Sequence, residues 1–276
     1  MNREQRMSLA QETLDILRRG RYTSPSGREV NIAADLEAAV SGSRLYRPGD
    51  FPNPVTGCPA RTWLGTTAEV TEETTLQAAQ RLAAFKPLCL NFASAKNPGG
   101  GFLGGSQAQE ESLARSSGLY SCLLPMSEMY DHNRRLHSCL CSDYMVYSPR
   151  VPVFRADDGT LLDAPFPTSF LTVPAPNAGA VRKNEPESVG LIRPTMAARM
   201  EKLLWVAQKQ GHSTLVLGAW GCGVFGNEPG TVAELFSELL GPRGSFFGCF
   251  ERVVYAVFDR SPEREVLSAY QHKIER

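Results

Sequence analysis

The sequence predicts an α/β protein: a largely parallel sheet covered by helices on both faces, with a helical N-terminal extension. Three observations predict it. Short apolar runs suited to strands alternate with amphipathic stretches of helical period, a pattern that requires βαβ crossovers. Of the 276 residues, 42% are hydrophobic and 21% charged, the proportions of an ordinary globular chain. Glycine-rich turns directly follow two of the strand candidates, where open α/β sheets bind their ligands.

In chain order, residues 3–19 carry Leu9, Leu14, Ile16 and Leu17 at helical spacing and end in Arg-Arg-Gly, the charge and stop signal of a helix C-terminus. Tyr22 to Ile32 reads as a hairpin around a Ser-Pro-Ser-Gly turn. Segment 44–66 is rich in Pro, Gly and Arg and reads as irregular. Residues 1–70 are therefore expected to be an accessory region packed on a core formed by residues 71–276. Within that core, Thr71 is the expected cap of a helix with Glu72 and Glu73 at its positive end and Leu76, Ala79, Leu82 and Ala83 on its apolar face. A strand follows over 88–93, and a second helix begins near Gln109. Further strands are expected at 144–148, 169–173, 214–219 and 252–258, with a long helix over about 190–210 that stops at Gly211.

Lys and Arg number 29 and so do Asp and Glu, so the net charge is zero and there is no basic excess of the kind that binds nucleic acid. No run reaches the ~18 apolar residues of a membrane span, and the first residues lack the apolar core of a signal peptide. A cytoplasmic protein without a membrane partner is expected. The seven cysteines (Cys58, Cys89, Cys122, Cys139, Cys141, Cys222 and Cys249) are odd in number and scattered, which suggests reduced thiols. His132, His137, Cys139 and Cys141 form the densest group of potential ligands, but its C-x-C spacing lacks a second pair, and no metal site is expected.

Two loops concentrate the chemistry. In the first, after strand 88–93, residues 99–105 hold five glycines in seven positions, which exposes backbone amides to a sugar or anion, and Glu110 and Glu111 open the next helix. Neighbouring helical residues point about 100° apart, so one carboxylate can orient a ligand while the other reacts. The second loop, Gly218 to Asn227, precedes an apolar helix, and its glycines are suited to cradle a diphosphate at the helix N-terminus, with Asn227 as the expected cap. Gly221-x-Gly223-x-x-Gly226 also satisfies the dinucleotide fingerprint, but it comes too late in the chain for a Rossmann enzyme.

The run NFASAKNPGGG (91–101), followed after seven residues by QEE (109–111), resembles the signature of poly(ADP-ribose) glycohydrolases, and GAWGCGVFGN (218–227) is similar to the phosphate loop of their macrodomain core. The pattern looks most like the short bacterial-type enzymes. The resemblance implies a macrodomain-like three-layer α/β/α sandwich that hydrolyses ribose–ribose bonds without a metal or nucleotide cofactor. Poly(ADP-ribose) or ADP-ribosylated macromolecules would be the partners and ADP-ribose the product. By position it makes Glu111 the catalytic residue and Glu110 the holder of the ribose hydroxyls. Asn97, Gly99, Gly100, Gly101 and Gln109 fall in the ribose loop. Gly221, Cys222, Gly223, Val224, Phe225 and Gly226 fall in the diphosphate loop, with Phe225 beside the distal ribose.

Acetal cleavage needs an acid and then a base, and one carboxyl can serve as both. At Glu111 the helix N-terminus favours the charged form. A neighbouring carboxylate, the substrate phosphates and partial burial favour the protonated one and are expected to prevail. Two other readings stay open: a hydrolase of mono-ADP-ribosylated protein, nucleic acid or small derivatives, and a non-catalytic ADP-ribose reader. The adjacent carboxylates count against the reader, since they would repel a polyanion.

Overall fold

The computed structural model describes residues 1–57 and 62–275, so Cys58 lies outside the described residues. Its first part is helical: α1 (Arg3–Arg19), the short hairpin β1 (Arg21–Thr23) and β2 (Glu29–Asn31), and α2 (Ala33–Gly42). Asn2 and Gln5 cap α1 reciprocally, and Gly20 closes it in the left-handed region at φ 65°. The segment expected to be irregular yields a strand, β3 (Arg44–Tyr46). Next come β4 (Thr67–Thr71), α3 (Thr75–Arg81), β5 (Leu88–Phe92), α4 (Gln109–Ser116), α5 (Leu119–Leu123) and α6 (Ser127–Arg135). The remainder is β6 (Met145–Arg155), β7 (Leu161–Val173), α7 (Ala178–Asn184), α8 (Ile192–Lys209), β8 (Thr214–Leu217), α9 (Pro229–Leu240), β9 (Arg252–Ala256) and α10 (Glu265–Ile274).

Seven strands form one mixed sheet in the order β3-β6-β7-β5-β8-β9-β4. The five from β7 to β4 are parallel, while β6 runs antiparallel to both β7 and β3. Both edge strands, β3 and β4, come from the first 71 residues, and β4 spans the boundary expected at residue 70. Alternation along the strands divides the core in two. Leu88 and Leu90 of β5 pack with Met200 and Leu203 of α8, Val232 and Phe236 of α9 and Tyr270 of α10. Cys89 faces the other way, with Leu76 of α3, Leu113 of α4, Leu119 of α5 and Met129 of α6. The expected three layers are present.

Three local expectations change. Thr71 ends β4 in parallel register with Ala256, and the cap of α3 is Thr74, whose hydroxyl accepts the Gln77 amide while the Gln77 side chain accepts the Thr74 amide. Strands β6 and β7 run far beyond 144–148 and 169–173 despite prolines at 149, 152, 165 and 167: Pro149 falls where the antiparallel ladder shifts register between Ser148 and Val151, and Pro152 lies opposite Pro167. Cys249 is disulfide-bonded rather than reduced, since an odd, scattered set of thiols is no bar to a single bridge, whereas Cys89, Cys122, Cys139, Cys141 and Cys222 are free. No helix among the described residues is long and apolar enough to cross a membrane.

Candidate active site

The C-terminal ends of β4, β5, β7, β8 and β9 open onto a single cavity of about 1400 Å³. Its lining includes Asn97, Gly100, Gly101, Gln109, Glu110 and Glu111 from the first loop and Gly221, Cys222, Gly223, Val224 and Phe225 from the second. Gly99 and Gly226, the two other expected positions, are outside that lining: Gly99 is buried against Phe102 and Ala114, and Gly226 is exposed, its carbonyl accepting a bond from Arg182 of α7.

The two carboxylates are placed differently. Glu110 is 3% exposed. Its Oε2 accepts the Ser94 amide at 2.6 Å, and its Oε1 accepts the Asn91 side-chain amide at 3.3 Å. Burial pushes its carboxyl up to about 8; the Ser94 amide opposes the rise and the Glu111 charge adds to it. Glu111 is half-buried at the cavity wall, and its Oε1 accepts the Gly101 amide at 2.9 Å. Glu111 thus has the partial burial expected of it, and its neighbour is the more deeply buried of the two. Asn91, the first residue of the 91–101 run, had no role read for it in the sequence, although a polar residue ending the apolar run Leu-Cys-Leu was a signal. Strand alternation turns it toward α4, beneath Glu110.

Glu110 makes stability depend on pH with a definite sign. The folded protein holds a proton there between the ordinary carboxyl value of 4.5 and about 8, where the unfolded chain has lost it. This group's contribution to stability is full below 4.5 and is lost as pH rises through about 8. Glu110→Gln is expected to gain on the parent protein, by on the order of a few kcal/mol at most, as thermal melting is followed from about pH 5 to 9. Parallel melting profiles over that range would mean that Glu110 is ionised throughout.

Gln109 anchors the pair from behind. Its Nε2 donates to the Leu90 carbonyl at 2.7 Å and to Thr75 Oγ1 at 3.0 Å, and its Oε1 accepts the Phe92 amide at 2.9 Å. This side chain ties the start of α4 to β5 and α3.

The glycine run acts otherwise than its bare backbone suggests. The Gly100 amide donates to Asn97, Gly101 to Glu111 and Phe102 to Gly99, so these amides stay inside the protein. What the glycines supply is proximity. At Gly100 (φ 61°) a Cβ would sit 2.4 Å from Glu111 Oε1 and 3.1 Å from Glu110 Oε2.

Free amides occur instead in the second loop. Cys222, Gly226 and Asn227 donate within it, whereas the amides of Gly221, Gly223, Val224 and Phe225 have no acceptor among the described residues. Such a run of unpaired N–H groups is an anion cradle. The expected use of the α9 helix end does not hold. Glu228, not Asn227, caps it, its carboxylate accepting the Gly230 and Thr231 amides, so that terminus is already neutralised. Asn227 is drawn away to the carbonyls of Pro176 and Gly221. Phe225 is half-buried, packed on the core with one side on the cavity. Cys222 also packs on that core, and burial raises its thiol to about 12, leaving it a poor nucleophile.

Further cavity residues went unread in the sequence. Asp157, in the β6–β7 turn, accepts from Thr74 at 2.5 Å and from Ser112 at 2.8 Å and so pins that turn over α3 and α4. Phe258 and Arg260 follow β9 and stack on each other at 4.6 Å. Arg6 reaches the cavity from α1.

Comparison with known proteins accords with this geometry. The family model for the microbial-type PARG catalytic domain matches residues 10–156. The structure of poly(ADP-ribose) glycohydrolase from Thermomonospora curvata is 48% identical, with a TM-score of 0.94 over 98% of this chain and 100% of that one. The same enzyme bound to the inhibitor ADP-HPD gives 0.91 at the same identity and coverage. The Deinococcus radiodurans enzyme in complex with ADP-ribose is 46% identical, with a TM-score of 0.83 over 88% of this chain and 98% of that one. No curated protein sequence matches. A carboxylate pair seated on a glycine run, a cradle of free amides and these relatives agree: the chain belongs to the microbial-type PARG family.

Proposed function

We propose that the cavity hydrolyses ribose–ribose O-glycosidic bonds of poly(ADP-ribose) and releases ADP-ribose, with Glu111 as general acid and then general base. The observation that carries this reading is the half-buried Glu111 carboxylate lining the same cavity as four unpaired amides. The cradle takes the diphosphate of the terminal unit, and Phe225 walls its distal ribose. Glu110 and Asn97 meet that ribose's hydroxyls, while Gln109 holds the pair in register.

Glu111 gives its proton to the departing 2′-oxygen of the adjoining unit as the C1″–O bond breaks, and positive charge spreads over C1″ and the ring oxygen. The Glu111 carboxylate and the substrate's own phosphates stabilise that charge. Water then attacks C1″ and yields a proton to Glu111, restoring the carboxyl. The products are ADP-ribose and a polymer one unit shorter with a free 2′-hydroxyl.

The test is release of free ADP-ribose, followed by chromatography, from poly(ADP-ribose) and separately from a mono-ADP-ribosylated protein. Release from polymer alone supports the reading. Release from the mono-modified substrate would move it to the broader hydrolase, and tight ADP-ribose binding without release would make the protein a reader.

Gly223 separates binding from folding. It is exposed at the cavity, and a Cβ there meets nothing within 4 Å. Gly223→Leu is expected to leave the melting temperature nearly unchanged and to weaken ADP-ribose binding about tenfold or more, read by calorimetry, because the side chain stands over the amides. Unchanged affinity would place the diphosphate elsewhere.

A further inference from the structure

The cavity is larger than one ligand unit requires. Small-molecule sites run to roughly 300–1,000 Å³, against about 1400 Å³ here. Part of the excess lies on the side away from the amide cradle. There α1 packs on the 102–105 turn and on α4: Arg3 Nε donates to the Gly104 carbonyl at 2.9 Å and Arg6 Nε to the Gly105 carbonyl at 2.8 Å. Both arginines grip the loop that supports Glu111, but of the two only Arg6 lines the cavity.

The charges around Arg6 are unbalanced. Among the described residues it has no carboxylate partner. Its Nε and Nη1 are engaged by the carbonyls of Gly105 and Met1, which leaves its Nη2 without an acceptor among those residues. Behind it is Arg115, one helical turn beyond Glu111 and 2% exposed, whose guanidinium donates to the Ser106 carbonyl and the Gln107 side chain. Burial lowers Arg115 to about 10; the Glu111 charge opposes that fall and the Arg6 charge adds to it. Arg155, also on the cavity wall, has the exposed Glu12 as its ion-pair partner at 2.9 Å. Of the three guanidiniums gathered on the Glu111 side, Arg155 pairs with Glu12 and Arg115 feels the charges of Glu111 and Asp157, which leaves Arg6 as the one without a carboxylate among the described residues. Such a site favours an anion.

We propose that Arg6 forms a second anion subsite, on the leaving-group side of Glu111, which takes a phosphate of the ADP-ribose unit next to the terminal one. The inference rests on the reading of this cavity as a poly(ADP-ribose) site. In a polymer the terminal unit fills the cradle, and the oxygen leaving at Glu111 carries the rest of the chain outward, with a diphosphate a few bonds away. The 97–105 loop runs from the carboxylates at Gly100 and Gly101 to Arg6 at Gly105, so it spans this direction.

The test compares binding of ADP-ribose with binding of its dimer, in which two units are joined by the ribose–ribose bond, in a Glu111→Gln background that prevents cleavage. The dimer should bind more tightly, and Arg6→Gln should weaken the dimer about five- to tenfold while leaving ADP-ribose within twofold. Added salt should narrow the difference. Arg3→Gln controls for loop loosening, since it removes the neighbouring grip without touching the cavity, and it should leave both ligands unaffected. Equal weakening of dimer and monomer by Arg6→Gln would overturn the inference, as would no weakening of either, or a matching loss with Arg3→Gln. Because the readout is binding, it is independent of turnover: a protein that fails to hydrolyse polymer yet keeps the Arg6-dependent preference would refute the proposed reaction and leave this subsite standing.

Discussion

Glu111→Gln is expected to lower kcat on poly(ADP-ribose) by at least 10³-fold while the affinity for ADP-ribose stays within about threefold. The magnitude follows from the two jobs assigned to one side chain, since each acid–base role contributes roughly 10²- to 10⁴-fold. Glutamine keeps the carbonyl oxygen that accepts the Gly101 amide, so the loop retains its anchor. It can neither give the leaving oxygen a proton nor accept one from water. Single-turnover release of ADP-ribose, with calorimetric binding of the product in parallel, separates the chemistry from recognition. A variant with more than a tenth of the parent's rate would remove Glu111 from the mechanism. Glu110→Gln should be similarly or somewhat less damaging, because Glu110 holds the substrate rather than reacting with it.

Gly100→Ala should be almost as severe, although it changes no titratable group. The residue sits at φ 61°, where side chains are strained, and its new Cβ would lie 2.4 Å from Glu111 Oε1 and 2.9 Å from the same carboxyl carbon. Either the loop backs away or the carboxylate swings off the Gly101 amide. A displacement of about 1 Å at a reacting group costs on the order of 10²-fold. The expected result is a fall of that size in kcat, with a melting temperature a few degrees lower, the left-handed strain being about 1–2 kcal/mol. Gly104 is the natural control, since a Cβ there meets nothing within 4 Å and its φ is ordinary. If Gly104→Ala and Gly100→Ala were equally active, close approach to the carboxylates would not be what the glycine run provides.

Much of the site was legible because it is local. Glu110 and Glu111 are neighbours in sequence and open a helix that a glycine run precedes, and the layered fold followed from alternating periodicity. The residues whose roles were missed act across the fold. Asn91 reaches Glu110 only because β5 alternates, and Arg6 reaches the cavity only because α1 lies on the 102–105 turn. Competition between adjacent polar residues also misled the reading. Thr71 and Thr74 are both good caps, but parallel pairing claims the first, and only the second has a glutamine three residues on. Asn227 and Glu228 compete in the same way, decided by the Pro176 carbonyl, which no local pattern reveals. The amides of the two loops were indistinguishable on paper. Glu111 and the loop's own carbonyls take up those of the first, and those of the second are left for a ligand.

The pairing of β4 with β9 also bears on how the chain matures during synthesis. Thr67 pairs with Arg252, so a strand made early has no neighbour in the sheet until residues 252–256 have left the ribosome. Until then β4 is unpaired on both sides, and the cavity lacks the wall that Phe258 and Arg260 provide. A nascent chain that has already displayed both carboxylates therefore still lacks one wall of the cavity around them.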